Sequence, residues 1–305
     1  MSGSGNSISV KNLFKNYGNL EALKDLTFDV EKNELFGFIG PDGAGKTSLF
    51  RILATLLIPD SGKVKIFEND IINDFKKLRK IIGYMPGQFS LYHDLTVKEN
   101  INFFATIFGT TLEENYEIIK DIYIQIEPFK NRLAGKLSGG MKQKLALSCA
   151  LIHKPKLLIL DEPTTGVDAV SRKEFWEILK TIKSKGITIV VSTPYMDEAV
   201  LCDRVALIQE GRIMTINTPE NILKLFDNKL FALKSNNMYE LLTLLQNWDN
   251  TLNAYLSGQN IHLTLKNENN DFLLSFLKSN SANDVDIQII TPNIEDVFIK
   301  LMSKK

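Results

Sequence analysis

Gly40-Pro41-Asp42-Gly43-Ala44-Gly45-Lys46-Thr47 follows the short apolar run Leu35–Ile39 and precedes a segment, Thr47–Leu57, that reads as a helix. It fits G-x-x-x-x-G-K followed by Ser or Thr, a loop that holds a nucleotide triphosphate. The glycines let successive backbone N–H groups turn inward and make a nest for phosphate. The following helix presents its positive N-terminal end to the same anion. Lys46 adds a point charge at the β and γ phosphates, and the Thr47 hydroxyl is the expected Mg²⁺ ligand. Alone, the loop claims only nucleotide binding.

Three further segments follow in order. Leu137-Ser138-Gly139-Gly140-Met141 is a glycine-rich helix start, Leu157-Leu158-Ile159-Leu160-Asp161-Glu162-Pro163 is an apolar strand ending in two carboxylates, and Gly166-Val167-Asp168 is a third motif. All four in this order resemble the ATP-binding cassette (ABC) family of ABC transporters, over roughly Ile8 to Pro219. The resemblance implies an α/β fold: a P-loop NTPase cassette with a RecA-like core, an antiparallel β subdomain and a helical subdomain. The closing Thr291-Pro292-Asn293-Ile294-Glu295-Asp296-Val297-Phe298 resembles the tail of drug- and antibiotic-export cassettes of the ABC-2 type.

Composition agrees with an ordinary globular protein. The 305 residues suit one large and one small domain, and acidic and basic residues balance at 36 each. Nothing in that balance suggests nucleic acid or an anionic membrane surface. Cys149 and Cys202 have no metal-ligand spacing and read as reduced core thiols. No apolar run approaches the ~18–20 residues of a membrane helix. Residues 1–7 lack a basic and an apolar region, so they read as a flexible tip rather than a signal peptide. A pore, if this protein serves transport, must be another chain.

Along the chain, Ile8–Leu35 alternates as antiparallel strands do, with Leu26, Phe28 and Val30 on one face. Pro59-Asp60-Ser61-Gly62 closes the first helix by a turn. Thr96-Val97-Lys98-Glu99 and Ser171-Arg172-Lys173-Glu174 read as capping boxes opening helices. Met141–Leu151 reads as a helix, and Leu157–Leu160 and Ile187–Ser192 as buried parallel strands. The cassette is expected over residues 8–227, with a helix-rich insert from about Ile82 to Pro155. Residues 228–305 form a small C-terminal α+β domain in the order β-α-β-β-α-β with a last helix, Glu295–Met302. Ser257-Gly258-Gln259-Asn260 turns its central hairpin.

The resemblance assigns roles residue by residue. The loop Gly40, Pro41, Asp42, Gly43, Ala44, Gly45, Lys46, Thr47 and Ser48 would hold the phosphates of ATP. Asp42 departs from the asparagine common there and should repel phosphate unless it points outward. Asp161 ends a buried strand, where a carboxylate is costly unless it serves an ion. It fits the carboxylate that holds Mg²⁺ through water, with Thr47 and Gln88 as the other ligands. Glu162 fits the general base, and Gln88 touches the attacking water. Tyr17 sits where the family stacks an aromatic on adenine. Ser138, Gly139 and Gly140 would complete the site of a facing cassette, so that two ATPs are sandwiched head-to-tail, and Asp168 fits the loop crossing that interface. The loop Phe89–Asp94 would meet the membrane partner.

Pro194, within Val190-Val191-Ser192-Thr193-Pro194-Tyr195-Met196-Asp197-Glu198-Ala199, is the main departure. The family has a histidine there that contacts the γ-phosphate, whereas proline has no side-chain donor and no N–H. Thr193 can cap and Pro194 can open a helix. Losing such a contact costs on the order of 10²–10³ in rate, so the site reads as one that binds ATP and hydrolyses it poorly. The chain thus resembles the N-terminal cassette of two-cassette exporters. The expectation is an ATPase subunit of an ABC-2 exporter, on the inner face of the cell membrane. Its partners would be permease subunits and a second cassette, as a homodimer or, preferably, a heterodimer. The alternative is a soluble translation or repair factor of the same family.

Overall fold

The computed structural model describes residues 5–280, 282 and 284–303. Two compact units follow one another, the first ending at Pro219 and the second beginning at Glu220. The expected division after Asp227 falls inside the second unit.

Alternation of apolar and polar residues builds the first sheet. β1 (Asn6–Tyr17) and β2 (Leu20–Glu31) pair antiparallel, with Val10 opposite Phe28 and Leu13 opposite Leu26. With Ile8 and Val30 these residues form the buried face. Of the expected flexible start, residues 1–4 lie outside the described residues, and Asn6 and Ser7 already belong to β1.

β3 (Leu35–Ile39) is buried at every position, as its unbroken apolar run requires. α1 (Lys46–Leu53) is shorter than the expected Thr47–Leu57. Thr55 takes a left-handed φ of 59°, and the Leu56 and Leu57 N–H groups fold back onto Arg51 O. β4 (Ser61–Ile66) and β5 (Asn69–Asp70) extend the first sheet to the order β2-β1-β4-β5. A single turn, α2 (Phe75–Leu78), leads to β6 (Ile82–Met85). Helices follow: α3 (Val97–Ile107), α4 (Leu112–Tyr123) and α5 (Gly139–Leu151). Thr96 and Thr111 open the first two with capping boxes to Glu99 and Glu114.

β7 (Leu157–Asp161) pairs in parallel with β6, so Ile82–Met85, at the start of the expected helical span, is itself a core strand. α6 (Ala169–Ser184) begins before the expected Ser171–Glu174 box. Asp168 caps it, accepting from the Val170 and Ser171 N–H groups at 3.1 and 3.0 Å, which leaves Ser171 inside the helix. β8 (Thr188–Thr193), β9 (Arg204–Gln209) and β10 (Arg212–Asn217) complete a six-stranded sheet, β10-β9-β3-β8-β7-β6. It is parallel except at the edge strand β10. Register then fixes where chemistry can occur. Ile39 pairs with Thr193 and Asp161 with Ser192, so the chain leaves β3, β7 and β8 side by side at their C-terminal ends.

α7 (Pro219–Leu223) stands at the division. The second unit contains β11 (Leu230–Lys234), α8 (Met238–Gln246), β12 (Thr251–Ser257), β13 (Asn260–Leu265), α9 (Asn270–Ser279), β14 (Asp286–Ile290) and α10 (Ile294–Met302). The sheet is antiparallel in the order β12-β13-β11-β14, a ferredoxin-like split arrangement. Gly258, with φ 59°, opens the two-residue turn between Ser257 and Asn260. Phe231, Leu233, Ile261 and Leu263 pack with Leu241 and Leu245 of α8 and Leu273 and Leu277 of α9. Tyr255 and His262 instead reach Asp296 of α10, at 2.5 and 2.6 Å. Among the described residues, no helix is long and apolar enough to cross a membrane.

Candidate functional site

The segment Gly40–Gly45 must reverse β3 into α1 in tight quarters. Gly43 and Gly45 have φ of 78° and 100°, the left-handed region that glycine tolerates. A Cβ on Gly40 would lie 2.1 Å from Ile208 O, and one on Gly45 2.5 Å from Ala22 O. Close approach to β9 and β2 therefore demands glycine at both positions. Gly45 is also the N-cap of α1, and no side chain satisfies the first-turn N–H groups, which leaves them for an anion. Lys46 is only 3% exposed. Its Nζ donates to Gly40 O at 2.8 Å and Pro41 O at 2.9 Å, and lies 3.1 Å from Glu162 Oε1. The Ala44 N–H donates to Pro41 O, and Ala44 O accepts from the Gly211 N–H. Asp42 is exposed and is not among the residues that wall the cavities beside this loop.

Asp161 is the last residue of β7 and 2% exposed. Burial pushes its carboxyl above the usual carboxylate range. Hydrogen bonds from Ser192, at 2.7 Å, and from Thr47 pull it back; the neighbouring Glu162 charge adds to the rise and Lys46 opposes it. Glu162 leaves the strand with φ 49°, a left-handed conformation that a side chain resists. Its N–H is held by Ser192 O at 3.1 Å and by Ser192 Oγ at 3.0 Å.

Two adjoining cavities share Thr47 and Glu162. One, of about 410 Å³, is walled by Tyr17, Ala22, Gly43, Gly45, Lys46 and Ser48 among others. The second, of about 590 Å³, is walled by Arg51, Tyr84, Gln88, Asp161 and Thr165. The structure thus brings Tyr17, Lys46, Thr47, Ser48, Gln88, Asp161 and Glu162 to one cleft, with Tyr17 OH 3.3 Å from Ser48 Oγ. Gly40, Pro41 and Ala44 contribute backbone behind it. Ser138, Gly139 and Gly140 stand apart at the start of α5, outside both cavities. Ser138 Oγ accepts from the Met141 N–H at 3.4 Å. A Cβ on Gly140 would sit 2.8 Å from Ser171 Oγ, so glycine is what lets α5 begin against α6.

The end of β8 differs from the sequence expectation. Pro194 does not open a helix; a 3₁₀ turn starts at Met196, with Tyr195 before it and no side-chain cap. The Thr193 hydroxyl is committed elsewhere, donating to Glu198 at 2.5 Å and accepting from the Tyr195 N–H at 3.1 Å. Glu198 is 2% exposed and also accepts from the Thr164 hydroxyl at 3.1 Å, with Arg172 Nε 3.4 Å from its other oxygen. Sequence reasoning missed Glu198, Ser192, Arg51 and Thr165. The available signal for Ser192 was a hydroxyl ending an otherwise apolar run, and for Glu198 a carboxylate flanked by Ala199.

Residues 23–165 match the family described as ABC transporter. Over 221 residues the chain is 35% identical to Nod factor export ATP-binding protein I of Rhizobium sp. (strain N33), covering 72% of this chain and 73% of that protein. The chain belongs to the ABC transporter family. Over 301 residues the chain is also 36% identical to the probable multidrug ABC transporter ATP-binding protein YbhF of Escherichia coli (strain K12). That match covers 97% of this chain and 52% of the relative, so the chain spans about half of that protein's length. Among solved structures the cassette is similar to cbiO1 of Clostridium perfringens, part of the ABC transporter complex cbiONQ. The identity is 28% and the TM-score 0.65, over 72% of this chain and 91% of the other. It is similar too to the cassette MJ0796, solved as a dimer in a post-hydrolysis state with ADP and Pi: 26% identity and TM-score 0.63, over 69% and 98% of the two chains. The fold is that of an ABC ATPase cassette of the P-loop NTPase class.

Proposed function

We propose that this cassette is the ATP-hydrolysing subunit of an exporter whose pore is a separate ABC-2 type permease. One observation carries the reading. Lys46, Thr47, Asp161 and Glu162 converge where β3 and β7 end, with Lys46 Nζ 3.1 Å from the Glu162 carboxylate and uncapped α1 N–H groups beside them.

In this reading the Gly40–Ser48 loop binds the phosphates through backbone N–H groups, Lys46 neutralises them, and the Tyr17 ring stacks on adenine. Glu162 takes the proton of the attacking water, which Gln88 orients from the adjoining wall. Thr47, Gln88 and Asp161 supply hard oxygen donors for Mg²⁺, Asp161 through water. Among the described residues no cluster of three His, Cys, Asp or Glu could cage a metal. That donor set suits a cation that keeps several waters and shares the nucleotide's phosphates. Bound Mg²⁺ would neutralise charge developing on the transferred phosphoryl group.

The Ser138-Gly139-Gly140 start of α5, exposed at Ser138 and Gly139 and half-buried at Gly140, suits donation to the nucleotide of a second cassette, preferably a different chain that carries the switch histidine missing at Pro194. An apolar groove of about 380 Å³, lined by Tyr84, Met85, Leu91, Phe104 and Phe108, lies against the Phe89–Asp94 loop. Fully buried Asn100 braces that loop, donating to Tyr92 O and accepting from the Tyr92 N–H, both at 3.0 Å. A firm loop beside an apolar groove suits a membrane subunit and an inner-face location through it. The names of the relatives, multidrug and Nod factor export, support transport over a translation or repair role.

The test is ATP binding and turnover by the purified chain, with fractionation of cells that contain or lack the proposed permease. Failure to bind Mg-ATP, or membrane retention without the permease, would contradict the reading.

A further inference from the structure

Asp161 and Glu162 are adjacent in sequence, yet one side chain from another strand touches both residues. Ser192 is wholly buried at the end of β8, opposite Asp161 in the register. Its Oγ lies 2.7 Å from Asp161 Oδ1 and 3.0 Å from the Glu162 nitrogen. A hydroxyl has one proton and two lone pairs. It donates to the carboxylate and accepts from the N–H, so both contacts are satisfied at once.

That pairing answers a local difficulty. Glu162 sits at φ 49°, which persists only where surrounding contacts over-determine it. Its N–H is shared between Ser192 O and Ser192 Oγ, its carbonyl accepts from the Thr165 N–H at 3.2 Å, and one carboxylate oxygen lies 3.4 Å from Thr165 Oγ1. Ser192 is the element of this set that also fixes Asp161. The next residue of β8, Thr193, accepts the Gly40 N–H with its carbonyl at 3.3 Å, so the same strand end also abuts the phosphate loop. Pro194 follows immediately and offers no donor.

We propose that Ser192 is a positioning residue whose hydroxyl aims the Asp161 carboxylate and holds Glu162 in its left-handed conformation. This rests on the ATPase reading above. It assigns to Ser192 the cross-strand tether between the residue that would face Mg²⁺ and the one that would face water.

The experiment compares Ser192→Ala and Ser192→Thr with the wild-type chain, each assayed alone so that turnover reports this chain's own site. Affinity for ATP is measured twice, in EDTA and with Mg²⁺, beside kcat, KM and thermal unfolding. In Ser192→Ala, ATP affinity in EDTA should stay as in wild type, because Lys46 and the loop are untouched. The gain in affinity on adding Mg²⁺ should shrink, and kcat should fall about 10–100-fold at nearly constant KM, as on losing a residue that orients a ligand. Ser192→Thr, which keeps the hydroxyl on a strand, should restore both. A merely structural seam would lower the unfolding temperature and leave the Mg²⁺ gain and kcat alone. That result overturns the proposal, as does a Thr variant as impaired as Ala. Should the Ala variant not fold, Ser192→Cys, nearly isosteric and a weak donor, is read in the same way. The binding arm requires no turnover. A wild-type chain that binds no ATP in either condition refutes the ATPase reading and this proposal together, whereas an intact Mg²⁺ gain in Ser192→Ala refutes this proposal alone.

Discussion

Lys46 Nζ lies 3.1 Å from the Glu162 carboxylate, so the cation proposed to bind phosphate is engaged by the carboxylate proposed to act on water. Two loop carbonyls complete its shell. On the proposed function, a γ-phosphate in the cleft would compete with Glu162 for Lys46, and Glu162 already shares a wall of the adjoining cavity with Gln88 and Asp161. Nucleotide binding and the freeing of the base would then be linked through one ammonium group.

Lys46→Ala should therefore abolish useful Mg-ATP binding. A buried, charge-assisted contact contributes about 1.5–3 kcal/mol, and an ammonium group has three N–H donors to offer a phosphate. The expected loss in affinity is roughly 100-fold or more, which corresponds to about 2.7 kcal/mol. Calorimetry of the two proteins decides it; equal affinities would contradict the assignment of the loop.

Neither cysteine should react in the native protein. Cys149 and Cys202 are both buried, and burial pushes both thiols far up; at Cys202 the charges of Asp203, Glu198 and Glu34 add to the rise. A raised pKa means less thiolate at neutral pH, and the thiolate is the nucleophile. The sign for stability follows. The contribution is complete below the ordinary thiol value of about 8.5 and is lost as pH rises above it. A thiol-reactive dye should count no groups in the folded chain and two after denaturation. Rapid native labelling would show that one of these segments opens.

What the sequence revealed, and what it did not, divides along local and non-local lines. The phosphate loop was legible because the chain can reverse between β3 and α1 there only with glycine at fixed spacing. β7 and β8 were legible because the consecutive apolar residues Leu157–Leu160 and Ile189–Val191 have to be buried on both faces. The start of α6 was not. Asp168 and Ser171 are both competent caps, and only the folded chain shows Asp168 accepting from the two N–H groups. Thr193 looked free to cap a helix at Pro194, but its hydroxyl belongs to Glu198, a partner whose burial depends on Arg172 and Thr164 from elsewhere. The part played by Ser192 likewise exists only once β7 lies beside β8.

In the second unit, Asp296→Ala should destabilise without touching nucleotide binding. Asp296 is 1% exposed, and its Oδ1 accepts from Tyr255 OH at 2.5 Å and lies 2.6 Å from His262 Nδ1. Its Oδ2 accepts from the Asn293 N–H at 2.7 Å, closing the capping box of α10. Truncation strands these partners, each at about 1–3 kcal/mol when buried, and opens one half of the capping box, while the Asn293 side chain keeps its bond to the N–H at 296. Thermal unfolding should show an earlier transition while ATP affinity remains that of wild type. A variant that melts with the wild-type protein would mean that water replaces the carboxylate.

The last expectation concerns Pro194, which follows β8 directly, beside the strand end that carries Asp161. A side chain there with no donor cannot contact a γ-phosphate, so the purified chain should bind ATP and turn it over slowly, below the ~1 per second of ordinary enzymes. Two pairings separate from here. In a homodimer both sites lack the histidine, and Pro194→His should raise turnover. In a heterodimer, a partner carrying the histidine would hydrolyse its ATP against Ser138, Gly139 and Gly140 of this chain. Activity of the pair should then fall on Ser138→Ala here and much less on Glu162→Gln here, since Glu162 serves the slow site. Steady-state ATPase of the chain alone is the deciding measurement. Turnover of ordinary size would show that this cassette hydrolyses ATP without a histidine at the switch, and that Pro194 does not weaken its site.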